Sequence, residues 1–223
     1  MVVFSNEHFF INVSEKDIFK KIAIVELAPM NAVLCKFAHE LIEEIPSYFW
    51  SVGASSTGKH HPEFSNGDGG LARHSLMVYR WLKNMIETNP SDIDDLAPSM
   101  IVASLFHDCC KRGNQDTPSE HTLHEHPIIG AKFILDKAEK FLSENMDFID
   151  TTSEDEDSFK HEIGMVVACV ESHMGKWNTS KYSDVVLPIP SNPIQYMVHL
   201  ADCISSKKYT SFDYEYFADL MSK

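Results

Sequence analysis

The sequence predicts a nearly all-α fold, on three observations. Apolar residues recur at three- and four-residue intervals in long runs. Alternating patterns are confined to the N-terminal segment and to DVVLPIP (184–190). Breakers gather between the runs. In chain order, HFFIN (8–12) reads as a short strand and Ser14-Glu15-Lys16-Asp17 as a helix N-terminus. Over 31–45, Leu34, Phe37, Ala38, Leu41 and Ile45 keep helical spacing, and Pro46 stops the run. SVGASSTGKHHPEFSNGDGG (51–70) is polar and rich in breakers, and so long a loop inside a compact domain more often carries function than not. Helical patterns then dominate. Met77, Val78, Trp81, Leu82 and Met85 share a face over 71–86, and Ile101, Val102, Leu105 and Phe106 share one over 93–110. Ile128, Ala131, Ile134, Leu135, Ala138 and Leu142 do so over 127–142, and 159–173 and 193–206 complete the set. DTTSEDEDS (150–158) reads as a solvated acidic loop capping the helix after it.

The 223 residues, 43% of them hydrophobic, suffice for one domain with a sizeable core over 1–223. Asp and Glu number 33 against 19 Lys and Arg, giving a net charge of −14. That balance argues against a footprint for duplex nucleic acid and suits a site that holds cations. No apolar run reaches the length of a membrane span, and MVVFSNEHFF lacks the basic region and apolar stretch of a signal peptide. Five cysteines without framework spacing read as reduced thiols, which predicts a cytoplasmic protein. A homo-oligomer is left open.

Polar residues interrupt the apolar faces at six places. His74 precedes Met77 and Val78 by three and four residues and shares their inward face. His107 and Asp108 follow the apolar run IVASLF directly, and His126 stands immediately before Pro127 at a helix start. His173 ends the apolar run 165–170, and Asp202 lies four residues after Val198. A single buried imidazole is ordinarily a hydrogen-bonded core residue, and a buried aspartate needs only a cap or an Arg. Six such residues, in a chain with 19 basic side chains, strain that account. Imidazole and carboxylate together suit divalent manganese, iron, cobalt, nickel, zinc or magnesium. The spacing alone leaves a metal site and a set of hydrogen-bonded core residues both open.

The order His74, His107-Asp108, His126, His173, Asp202 resembles the HD superfamily of metal-dependent phosphohydrolases. GGLARHS (69–75) is similar to the family's GGLxxH opening, FHDCCK (106–111) to its LHDxxK core, and HPIIGA (126–131) to its HxxxGA segment. ESHMG (171–175) resembles SHHG, and HLADCISS (199–206) the closing hyxAD stretch. Together the matches span residues 60–208, leaving 1–50 as an N-terminal helical extension. The nearest look is that of the HD module of bacterial 3′-to-5′ exoribonucleases. The resemblance implies an HD-domain helical bundle around a dinuclear site. His74, His107, Asp108 and Asp202 would hold one ion, and Asp108 would bridge to a second held also by His126 and His173. The ions would be two divalent metals (manganese, iron, nickel, magnesium or zinc). A metal-bound hydroxide would attack the phosphorus of a small nucleotide or short single-stranded nucleic acid, and Lys111, the HDxxK lysine, would stabilise charge.

One departure stands out: Met174 replaces the second SHHG histidine, and a thioether neither donates a hydrogen bond nor suits a hard metal. His121 and His124 read either as its replacement or as surface histidines. The candidate substrate contacts are His61 in the loop, Arg73 beside the first ligand, His124, Lys176, and Trp177 as a stacking platform. His60 shares the loop with His61. His199, one turn before Asp202, could orient that carboxylate. Cys109, Cys110, Cys169 and Cys203 read as small core residues. Two rival functions use the same ligand order: a diiron oxygenase cleaving a carbon bond of a small organic substrate, and a catalytically inert nucleotide-binding module.

Overall fold

The structure, a computed structural model, describes residues 2–6, 9–56, 58, 61–88, 93–152 and 155–223, with side chains described from Val13 onward, Asp94 excepted. His60 and part of the acidic 150–158 segment lie outside the described residues. Strands β1 (Val2–Asn6) and β2 (Phe9–Val13) form an antiparallel hairpin, with Val2 opposite Val13 and Asn6 opposite Phe9. The remaining described architecture is helical: α1 (Glu15–Ile22), α2 (Ala32–Glu44), α3 (Gly70–Thr88), α4 (Ala97–Phe106), α5 (His126–Ile149), α6 (Glu156–Ser172), α7 (Pro193–Ser205) and α8 (Tyr214–Ser222).

Local chemistry sets the starts. Ser14 caps α1 in a reciprocal box, its hydroxyl accepting from Asp17 N at 3.1 Å while Ser14 N donates to Asp17 Oδ2 at 3.2 Å. Asn31 accepts from Leu34 N at 2.7 Å to open α2, and Asp155 accepts from Ser158 N at 2.7 Å to open α6. Asn192 accepts from Gln195 N at 3.0 Å at the head of α7. Helix α3 packs against α4 and α7, α4 and α5 both pack against α6, and one apolar core runs from Val13 to Leu220. Among the described residues, no helix is long and apolar enough to cross a membrane.

Three expectations change. Helix α4 ends at Phe106 instead of continuing to Cys110, and the chain proceeds in i→i+3 turns (Cys109 N to Phe106 O, Lys111 N to Asp108 O, both 3.0 Å). These turns swing His107 and Asp108 out of the helical ladder. Residues 184–190 form no strand: Pro188 and Pro190 lack amide donors, and Val186 and Ile189 stand exposed. Helix α8, which the sequence pattern did not signal, joins the core through Phe217 and Leu220.

Candidate metal centre

Five segments deliver six side chains to one buried volume. His74 comes from the middle of α3, His107 and Asp108 from the turn after α4, and His126 from the first turn of α5. His173 caps the end of α6, and Asp202 projects from α7. His74, His107, Asp108, His126 and His173 are each 2% exposed or less, and the Asp202 side chain is 17% exposed. Asp108 divides its oxygens between two groups. Its Oδ2 lies 3.4 Å from His107 Nε2 and 3.8 Å from His74 Nε2. Its Oδ1 lies 3.0 Å from His126 Nε2 and 3.6 Å from His173 Nε2. Asp202 Oδ1 lies 3.0 Å from His74 Nε2 and 3.9 Å from His107 Nε2.

The other ring nitrogens determine what those Nε2 atoms are. His107 Nδ1 lies 2.9 Å from Ser104 O, His126 Nδ1 2.6 Å from Leu123 O, and His173 Nδ1 2.7 Å from Val170 O. A carbonyl only accepts, so each Nδ1 carries a proton, and each ring in its neutral form turns an Nε2 lone pair inward. His126 Nε2 and His173 Nε2 then face each other at 3.3 Å, with a carboxylate oxygen beside both. Despite their short separations, His74 Nε2, His107 Nε2 and Asp108 Oδ1 have no partner in hydrogen-bonding geometry among the described residues. Lone pairs packed this closely repel unless positive charge lies among them. His74, His107 and Asp202 form one group able to hold a cation, and His107, Asp108 and His173 another, the ligand atoms of each lying within 4.8 Å of one another. The donor set and its orphaned atoms fit a divalent metal.

The electrostatics agree. Burial works to raise the Asp108 carboxyl, but the Lys111 ammonium and His107 overcome it and hold the group well below the usual carboxylate range. Burial likewise works to raise Asp202, and His74 and His107 hold it low. Burial depresses His74 and His126, whereas His107 is raised, because Asp108 and Asp202 outweigh its desolvation. Lys111 Nζ is hydrogen-bonded to Asp108 Oδ2.

The centre opens into a pocket of about 690 Å³ whose walls include His61, Lys111, Met174, Trp177, Lys207 and Tyr209. His61 packs against His74, their ring centres 5.7 Å apart. Three other sequence candidates lie elsewhere. Arg73 turns away from the pocket to meet Glu15 Oε1 at 2.7 Å and the carbonyls of Phe64, Asp68 and Asn66. His124 Nε2 lies 3.0 Å from Val185 O, and Lys176 lies over the Trp177 ring, its Nζ 4.8 Å from the centre. Trp177 does border the pocket, with Lys207 Nζ also over its ring at 5.5 Å. His199 serves a different residue from the one expected: its Nδ1 donates to His173 O at 2.6 Å, fixing the end of α6. Gly175 makes that approach possible, since a Cβ there would come within 2.2 Å of the His199 ring. Cys109, Cys110 and Cys169 are buried, whereas Cys203 is half-buried on the pocket wall. Lys207, Lys208 and Tyr209 escaped the sequence reading, although a Lys-Lys pair directly after HLADCISS in so acidic a chain was a usable signal. A second hollow of about 800 Å³ lies between α3 and residues 209–215, and its Arg80 is paired with Asp213 at 2.9 Å. Among the described residues, no cluster of three or more side chains able to hold a metal ion occurs there.

Neither a known protein family, a curated protein nor a solved structure matches this chain.

Proposed function

We propose that this chain is a metal-dependent phosphohydrolase of the HD type, acting on a phosphoester of a nucleotide or of a short single-stranded nucleic acid. The observation that carries the reading is the convergence of Nε2 lone pairs and two carboxylates in a buried volume that needs positive charge. His74, His107 and Asp202 would hold one divalent cation, His126 and His173 a second, with Asp108 shared between them. Cations bound there would supply the charge that polarises a phosphoryl oxygen and acidifies an attacking water. The backbone carbonyls of Ser104, Leu123 and Val170 keep three imidazoles in the ligating tautomer, so little reorganisation accompanies loading. Lys111 neutralises Asp108 in this structure and lines the pocket. Once a cation takes over that neutralisation, its ammonium is free to meet non-bridging phosphate oxygens as their charge grows. The acidic surface favours small or single-stranded substrates over duplex.

The test is elemental analysis of the purified protein, then a screen of nucleotides, cyclic nucleotides and short RNAs with manganese, nickel and magnesium. We expect up to two divalent ions per chain and metal-dependent release of phosphate or nucleotide. Iron with dioxygen-dependent turnover and no phosphoester cleavage would replace this reading with the oxygenase. Tight nucleotide binding without turnover under every metal would replace it with a binding module.

A further inference from the structure

We infer that the metal pocket carries a second anion subsite on its outer wall, built by Lys207 and Lys208 beside Trp177, which selects substrates with two separated anionic groups over phosphomonoesters. The inference deepens the hydrolase reading and rests on it for the group that is cut. In a chain of net charge −14, most lysines have a carboxylate within reach. Lys16, Lys20, Lys83, Lys140 and Lys160 are each ion-paired. Lys207 and Lys208 line the pocket, and neither has an ion pair among the described residues. Lys207 is seated over the Trp177 ring, and Lys176 lies over the same ring. An ammonium over an aromatic face competes with a stacked base for that face. Trp177 therefore holds cations at the pocket rim, a different task from the base platform its type suggests.

The segment that presents these lysines is fixed. Thr210 Oγ1 donates to Ile204 O at 2.8 Å and Thr210 N to Lys207 O at 2.9 Å, which ties the turn to the end of α7, the helix that supplies Asp202. Lys111, the third lysine of the pocket, is committed to Asp108 at its buried end. The pocket thus has one cation at its base and two uncompensated ones at its mouth. Such an arrangement attracts an anionic group beyond the one held at the centre.

Isothermal titration of the purified protein tests this with methylenephosphonate analogues of a nucleoside monophosphate and a nucleoside 3′,5′-bisphosphate, which bind without being cut. We expect the bisphosphate analogue to bind about tenfold tighter, the scale of one good charge-assisted contact. In the Lys207→Ala/Lys208→Ala double variant that ratio should fall towards one, and Lys207→Arg/Lys208→Arg should keep most of it. Equal affinities in the wild-type protein, or a preference that survives the double alanine variant, overturn the subsite. If phosphomonoesters are cleaved but the affinities are equal, the hydrolase reading stands and the subsite falls. Lysine-dependent bisphosphate binding without cleavage under any divalent metal keeps the subsite and removes the hydrolase reading. No binding by either analogue overturns both.

Discussion

Arg73→Ala removes a guanidinium that sequence alone places beside His74 at the candidate metal centre and the structure turns away from it. The side chains of Arg73 and Glu15 are 14% and 6% exposed, so solvent screens their 2.7 Å pair little. The same guanidinium donates to Phe64 O at 2.6 Å, Asp68 O at 2.8 Å and Asn66 O at 3.3 Å, clamping the loop ahead of α3 to the start of α1. Removing one partner of a buried pair costs about 3–5 kcal/mol. The carbonyls of Asn66 and Asp68 lie close enough to solvent to recover water, which keeps the total within that range. In a chain of this length each kcal/mol lowers Tm by about 2–4 °C, so the expected fall is roughly 6–20 °C. Metal content per folded chain should stay at the wild-type level, because Arg73 touches no ligand. Arg73→Lys should recover part of the loss, since an ammonium cannot span four acceptors. Gly69→Ala should act in the same direction: its φ is +69°, and a Cβ would come within 2.7 Å of both Arg73 Nη1 and Glu15 Oε1. Calorimetric melts of metal-loaded and chelated protein, with elemental analysis, measure all of this. A variant melting within about 2 °C of wild type that has nonetheless lost phosphoester turnover would refute the clamp and restore Arg73 as a phosphate contact.

Asp108→Ala should abolish turnover and remove at least one ion per chain, because both groups of imidazoles lose their shared carboxylate; a fully metallated, active variant would end the two-ion proposal. Lys111→Ala should leave metal content and Tm of the loaded protein near wild type while lowering turnover by on the order of a hundredfold, read from kcat at saturating substrate. Unchanged kcat would make Lys111 a spectator. Burial, with His74 and Lys111 close by, holds His61 down to about 4 from an ordinary 6.5. The unfolded chain therefore takes that proton first, and chelated protein should lose stability as pH falls from 6.5 towards 4. The loss should be on the order of 2 kcal/mol. His61→Gln should flatten this slope in urea titrations, and an unaltered slope assigns the acid sensitivity to other groups. Gly175→Ala places a methyl group against the His199 ring and strains a φ of +54°. It should lower Tm and weaken retention of the ion at His173; a variant with wild-type melting and metal content would show that the His199 contact is dispensable.

Local pattern was enough to find most of the helical segments, α8 excepted, and the six residues that converge. The spacing of Leu34, Phe37, Ala38 and Leu41 defines a helical face, Ser14, Asn31 and Asp155 mark starts, and each candidate ligand interrupts an apolar run where water is excluded. Whatever depends on where a side chain points across the fold came instead from long-range packing. Arg73 was drawn to Glu15, 58 residues away in the chain, by a loop folded back on α1. His199 was aimed at the carbonyl of His173 and not at Asp202, because Gly175 lets the end of α6 approach the middle of α7. The stretch 184–190 has strand-like residues but its two prolines deny it a full ladder, so a local pattern without a partner produced no strand. The tautomers too were settled in three dimensions: the carbonyls at the ends of turns fix which nitrogen keeps its proton, and the remaining lone pairs meet only because five segments of chain converge on the same point.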